Sequence, residues 1–223
     1  VKIQNSNYMA TEEKKVSYQT TNTYSTKNKL TSATKNVWFC CHGLGFLSRY
    51  FIQYFNGLDA EENYIIAPQA PSKYYQKSDF KHVGASWLTR EETQQETENV
   101  LNYLDSVLAT EEIPNDKRLI LLGYSQGVSV VTRWMASRKL ACDTLVIHSG
   151  GIPKELQPQD FEFLQHTKVE LWYGTQDEYL TEKRIAEETK RAKEMFGDRL
   201  EIIPFEGKHV VNRDLINELG IRN

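Results

Sequence analysis

Ser125 stands in Gly123-Tyr124-Ser125-Gln126-Gly127, a G-x-S-x-G flanked by the apolar runs LILL and VSVV. A serine in such a frame rides a sharp strand-to-helix turn, and the two glycines let that turn press against its neighbours. Its hydroxyl is too weakly acidic to attack an ester unaided, so a base must be near. Asp177 follows the apolar run VELWYG by one short loop, and His209 follows LEIIPF in the same way. In such a set His209 takes the serine proton and later returns it, while Asp177 fixes the imidazole tautomer and stabilises its cation. Other residues fit these two roles less well. Asp143 precedes its strand, Glu178 is one step further along the loop, His148 ends a strand, and His82 and His166 lie in loops.

Acyl transfer also needs two backbone donors for the developing oxyanion. The N–H of Gln126, the residue after the serine, is the first. The strand VWFCC runs into His42-Gly43-Leu44-Gly45-Phe46, and there the glycines allow close backbone approach and leave the N–H of Leu44 as the second. His42 is expected to buttress that loop and not to act as the base.

The elements that must position these groups alternate. The reading expects a hairpin between KKVSYQTT and NVWFCC, then a helical SRYFIQYFNGL and a short buried strand NYIIAP. An amphipathic helix over residues 92 to 110 follows, with Val100, Leu101, Leu104, Val107 and Leu108 on one face and Thr89 with Glu92 as a capping box. After it come strands LILLGY, TLVIHS, VELWYG and LEIIPF, a charged helix from Thr181 to about Phe196, and a last helix from about Asn212 to Gly220. Continuous apolar strands alternating with helices predict a mainly parallel sheet covered on both faces, with the site at the carboxyl ends of the strands. The expected organisation is one α/β domain over residues 1–223, with 1–12 as a loose arm.

Composition narrows the partners. Lys+Arg 27 against Asp+Glu 30 gives a net charge of -3 without a basic stripe, which argues against nucleic acid. No apolar run reaches membrane-spanning length, so no integral membrane contact is expected. Three cysteines, with Cys40 and Cys41 inside an apolar strand, suit reduced thiols and a cytoplasmic setting. The five histidines show no metal-ligand spacing, and no phosphate-binding glycine loop ending in Lys-Ser/Thr occurs, so neither metal nor cofactor is expected. The partner expected is a small-molecule ester; a homodimer is left open.

The set HGLG (42–45), APQAP (67–71), Ser86-Trp87, GYSQG (123–127), HSGGIP (148–153), GTQD (174–177) and GKH (207–209) resembles the phospholipase/carboxylesterase family of small serine esterases, which includes acyl-protein thioesterases. The resemblance implies an α/β-hydrolase fold without a large cap domain and cofactor-free cleavage of carboxylic esters or thioesters. Ser125, Asp177 and His209 then match the family's triad in its order, and Leu44 and Gln126 match its oxyanion donors. Two departures bear on substrate: Phe46 stands where the family commonly has an acidic residue, and Val128 where it has a glycine. Phe46, Trp87 and Tyr179 are expected to line a pocket for short-to-medium acyl chains, covered by the aromatic-bearing loop 72–85. Long-chain thioesterase or lysophospholipase activity, an acyltransferase, a peptidase and a non-catalytic binding module are the alternatives.

Overall fold

The structure, a computed structural model, describes residues 11–222. Its centre is β2 (Asn36–Cys41), six consecutive buried residues. A strand apolar on both faces must be covered on both. Val37, Phe39 and Cys41 pack into one layer with helix α2 (Thr93–Thr110), α3 (Gln126–Arg138) and α4 (Glu182–Phe196). Trp38 and Cys40 pack into the other, with α1 (Ser48–Phe51), the 3-10 turn Ile52–Phe55 and α5 (Arg213–Ile221).

Along the sheet, β3 (Asn63–Pro68) and β6 (Arg118–Tyr124) flank β2 in parallel, and β7 (Thr144–His148), β8 (Lys168–Gly174) and β9 (Leu200–Phe205) continue in parallel from β6. The order is β1-β3-β2-β6-β7-β8-β9, with β1 (Tyr24–Lys27) antiparallel at the edge. Sheet order therefore reverses at β2, with β3 on one side and β6 on the other. Such a switch point opens a crevice outside the strand ends. Cys41 pairs with Gly123, so the loop after β2 and the turn after β6 emerge side by side.

Three expectations are corrected. The early hairpin is absent: residues 14–21 are exposed and irregular, and β1 pairs with β3, with Tyr24 opposite Pro68. Both edges of β2 are already taken by parallel neighbours, which leaves no place for an antiparallel partner. The capping box at α2 does not form, because Glu92 is left-handed at φ 45° with no side-chain cap; Thr89 Oγ1 instead accepts from the Glu91 N–H at 3.2 Å. Residues 72–85 are a two-stranded hairpin, β4 (Ser72–Tyr75) against β5 (Val83–Ser86), and not a plain loop. The expected arm at 1–12 lies outside the described residues except for Thr11 and Glu12, which are exposed.

The helix faces follow the predicted pattern. Val100, Leu101, Leu104 and Val107 of α2 are buried and Leu108 packs against them. Among the described residues no helix is long and apolar enough to cross a membrane.

Candidate active site

Ser125 stands between β6 and α3 with φ 53° and ψ -115°, a conformation that non-glycine residues rarely adopt. It persists because its surroundings leave no alternative. The Ser125 N–H donates to the His148 carbonyl at 2.8 Å, and its own carbonyl accepts from Val128 at 3.1 Å. A Cβ at Gly123 would sit 2.5 Å from Val128 Cα, and one at Gly127 would strike the Cys41 carbonyl. Strand and helix thus meet at glycine, and the serine is pushed out between them.

His209 Nε2 lies 2.9 Å from Ser125 Oγ, and His209 Nδ1 lies 2.7 Å from Asp177 Oδ2. The structure brings together three residues from three strand ends. The Asp177 side chain is fully buried, and its other oxygen accepts the Tyr179 N–H at 2.9 Å. The loop carrying Asp177 is tied to the loop carrying His209, because Gln176 N–H donates to the Gly207 carbonyl at 2.8 Å. With the carboxylate accepting at Nδ1, Nε2 is the nitrogen left to take a proton from the serine. Glu178 is exposed and points to no imidazole nitrogen; backbone N–H groups, first its own and then that of His209, hold its carboxyl below the usual range.

The loop after β2 carries the second set. Among the described residues neither the Leu44 N–H nor the Gln126 N–H donates to a protein acceptor, and Gln126 opens helix α3, where first-turn N–H groups have no intrahelical partner. A Cβ on Gly43 would lie 3.2 Å from Ser125 Cβ, so the two segments are nearly in contact. His42 is fully buried and both ring nitrogens are used: Ala70 N–H donates to Nε2 at 3.1 Å, and Nδ1–H donates to the Gly43 carbonyl at 2.8 Å. Burial lowers its pKa to about 4, so near pH 7 it is neutral and holds the loop uncharged.

Trp87 corrects the expectation that it lines a pocket. It is fully buried, and its indole N–H donates to the His42 carbonyl at 2.7 Å. The Gln126 side chain explains the arrangement. Its Oε1 accepts the Trp87 N–H at 2.9 Å, and its Nε2 donates to Leu88 O at 2.8 Å and to Ser86 Oγ at 3.1 Å. Phe46 is half-buried in an aromatic group with Phe51, Tyr54 and Tyr124, at centroid distances of 5.8 to 6.1 Å. Tyr179 is 63% exposed with its ring edge-on to His209 at 4.9 Å.

One residue that sequence reasoning passed over acts on the imidazole. Tyr124 donates its hydroxyl to the His209 carbonyl at 3.0 Å and lays its ring 5.3 Å from the His209 ring. It fills the first variable position of G-x-S-x-G, and the signal was its aromatic type in a place that needs none. His148 braces the other side, accepting the Asn212 N–H at 2.9 Å, and burial with the nearby His209 charge lowers its pKa to about 3.

A family model for phospholipases/carboxylesterases matches residues 22–217. The chain belongs to the phospholipase/carboxylesterase family. It is an esterase-type hydrolase of the carboxylesterase and thioesterase kind, with the α/β-hydrolase fold and, among the described residues, no large cap. Among solved structures, Zea mays acyl-protein thioesterase 2 is 16% identical with a TM-score of 0.69, covering 90% of this chain and 96% of its own. A phospholipase/carboxylesterase from Dyadobacter fermentans is 19% identical, TM-score 0.64, over 92% and 99%. Esterase PE8 is 21% identical, TM-score 0.63, over 90% and 97%. At these identities the likeness is one of fold. No curated protein sequence matches the chain.

Two cavities lie within reach of different parts of this family fold. The larger, about 540 Å³, sits between α2 and α3 beside Leu101, Arg133 and Ala136, and is lined by none of Ser125, Asp177, His209, Leu44 and Gln126. The smaller, about 290 Å³, adjoins Gly45 and Phe46 at the loop after β2. The second is the one beside the loop that carries Leu44.

Proposed function

We propose that this enzyme hydrolyses carboxylic esters through an acyl-enzyme on Ser125, with His209 as general base and acid and Asp177 as its orienting carboxylate. The observation that carries the reading is the continuous hydrogen-bonded line from Ser125 Oγ through His209 to Asp177, at 2.9 and 2.7 Å. As Oγ attacks the ester carbonyl, its proton passes to His209 Nε2 and the carbonyl electrons move onto oxygen. The Leu44 and Gln126 N–H groups receive that charge. Collapse breaks the bond to the alcohol or thiol, which leaves with the proton from His209, and a water then repeats the attack to free the acid.

Short-to-medium acyl chains are the proposed substrates. Phe46 is wedged among Phe51, Tyr54 and Tyr124 and forms a fixed wall beside the oxyanion loop, which supports a short acyl site over a long groove. A cytoplasmic location is proposed from Cys40, Cys41 and Cys142, which are free and buried, with burial raising all three thiol pKa values. The test of the reaction is Ser125→Ala with a fluorophosphonate probe. Labelling and turnover should both disappear while the folded signal stays; a variant that still labels would overturn the assignment.

A further inference from the structure

The cleft beside Gly45 has a charge character at odds with the rest of the chain. Arg49, Lys81 and His82 line it, and among the described residues no acidic side chain does. Several cations elsewhere on this protein have carboxylates: Arg133 pairs with Glu155, Arg138 with Glu98 and Asp105, and Arg222 with Glu170. Neither Arg49 nor Lys81 has an ion-pair partner among the described residues. The acid on the hairpin tip, Asp79, accepts the backbone N–H of Lys81 at 3.1 Å and does not line the cleft. Arg49 lays its guanidinium over the Tyr50 ring at 4.9 Å, and among the described residues its N–H donors have no protein acceptor. A stacked guanidinium with free donors is suited to bidentate capture of a carboxylate or phosphate.

The cleft is joined to the candidate oxyanion site by the backbone. Gly45 lines it and directly follows Leu44, and the hairpin wall is fastened to Gly45 at both its polar groups. Its N–H donates to the Ala85 carbonyl at 2.8 Å, and its carbonyl accepts from Gln76 Nε2 at 2.6 Å. A substrate whose carbonyl oxygen meets the Leu44 N–H therefore has this cleft one residue away, with Phe46 and Tyr50 as apolar surface for a short spacer.

We propose that this cleft is a subsite for an anionic oxygen group, carboxylate or phosphate, carried a few atoms from the scissile ester, and that Arg49 and Lys81 select such substrates. The proposal rests on the esterase reading above. Two pairs of esters test it by kcat/KM. Mono-4-nitrophenyl glutarate is set against 4-nitrophenyl pentanoate, which puts the charge on the acyl side. 2-Acetoxyethyl phosphate is set against 2-methoxyethyl acetate, which puts it on the alcohol side. At least one anionic ester should be preferred over its neutral partner by about tenfold or more, and the pair that shows it tells which side of the ester enters the cleft. In Arg49→Gln/Lys81→Gln that ratio should fall to about one, and in wild type it should shrink with added salt. A preference retained in the double variant overturns the subsite. Equal turnover within both pairs, abolished in Ser125→Ala, also overturns it and leaves the esterase reading standing. No turnover of any of the four esters overturns both.

Discussion

Around Ser125 the polar side chains are tied down, whereas the hairpin of β4 and β5 is exposed at every residue from Ser72 to Val83. His42 spends both nitrogens on backbone, Gln126 spends its amide on three partners, and Asp177 spends one oxygen on Tyr179 and the other on His209. Two of the hairpin's aromatics meet each other, Tyr75 lying edge-on to Phe80 at 5.2 Å. The difference separates two tasks. Charge that develops in a transition state is best met by donors that need not reorganise, while a substrate's variable part is met by loops on a fixed scaffold.

The largest effect should come from breaking the fixed side. Asp177→Asn keeps the shape of the carboxylate but presents the wrong partner to His209 Nδ1, so kcat should drop by roughly 10⁴ with KM little changed. Glu178→Gln, on an exposed side chain of the same loop, is the control and should stay near wild type. Reversed results would move the acid by one residue.

Acid should loosen the same fixed side through its buried histidines. His42 and His148 have pKa values lowered to about 4 and about 3, whereas unfolded histidine titrates near 6.5. Below pH 6.5 the unfolded chain binds protons that the native state refuses, so their stabilising contribution is complete above that pH and falls as pH drops toward 4 and 3. At pH 5 the two together cost about 4 kcal/mol, at about 1.4 kcal/mol per pKa unit. Urea midpoints at pH 7 and pH 5 measure the loss, and His148→Gln should reduce it by about half. An unchanged slope would mean that His148 is protonated or solvated in the native state.

Smaller effects belong to the boundary and then to the hairpin. Phe46→Ala should move the acyl-length optimum toward longer chains and leave acetate esters nearly unaffected, each fitted methylene being worth no more than about 1 kcal/mol. A wild-type preference for palmitoyl substrates would instead remove Phe46 from the wall. Tyr75→Ser should change stability by less than about 0.5 kcal/mol, since the side chain is 57% exposed, and should register only in the ranking of substrates.

Ser125, Asp177 and His209 were legible because each stands just past a run of apolar residues, and in a parallel sheet those runs all end at one rim. Helix α2 was legible from its spacing. The hairpin was not, because SKYY and its partner VGAS show no alternation: all four residues of the first strand are exposed. Trp87 was misread for a different reason. Beside an exposed aromatic stretch it looked like pocket lining, yet what fixes it is the His42 carbonyl, 45 positions away. Local pattern has no access to such a partner. The failed capping box at Thr89 is of the same kind, since the left-handed Glu92 is a backbone choice that the residue type does not announce.

The way the hairpin is mounted has an evolutionary reading. It forms its own two-stranded sheet, joins the body at Pro71 and Trp87, and is clipped to the site through Gly45 and, at its base, through the Gln126 amide on Ser86. Insertions or deletions at its tip leave the seven-stranded sheet and the buried network unaltered, and each doubling of such a loop costs only about 0.6 kcal/mol in closure entropy. It is thus an exchangeable cassette: lineages or libraries that vary residues 76 to 82 while keeping a donor for the Gly45 carbonyl would trade substrates without rebuilding the hydrolytic machinery.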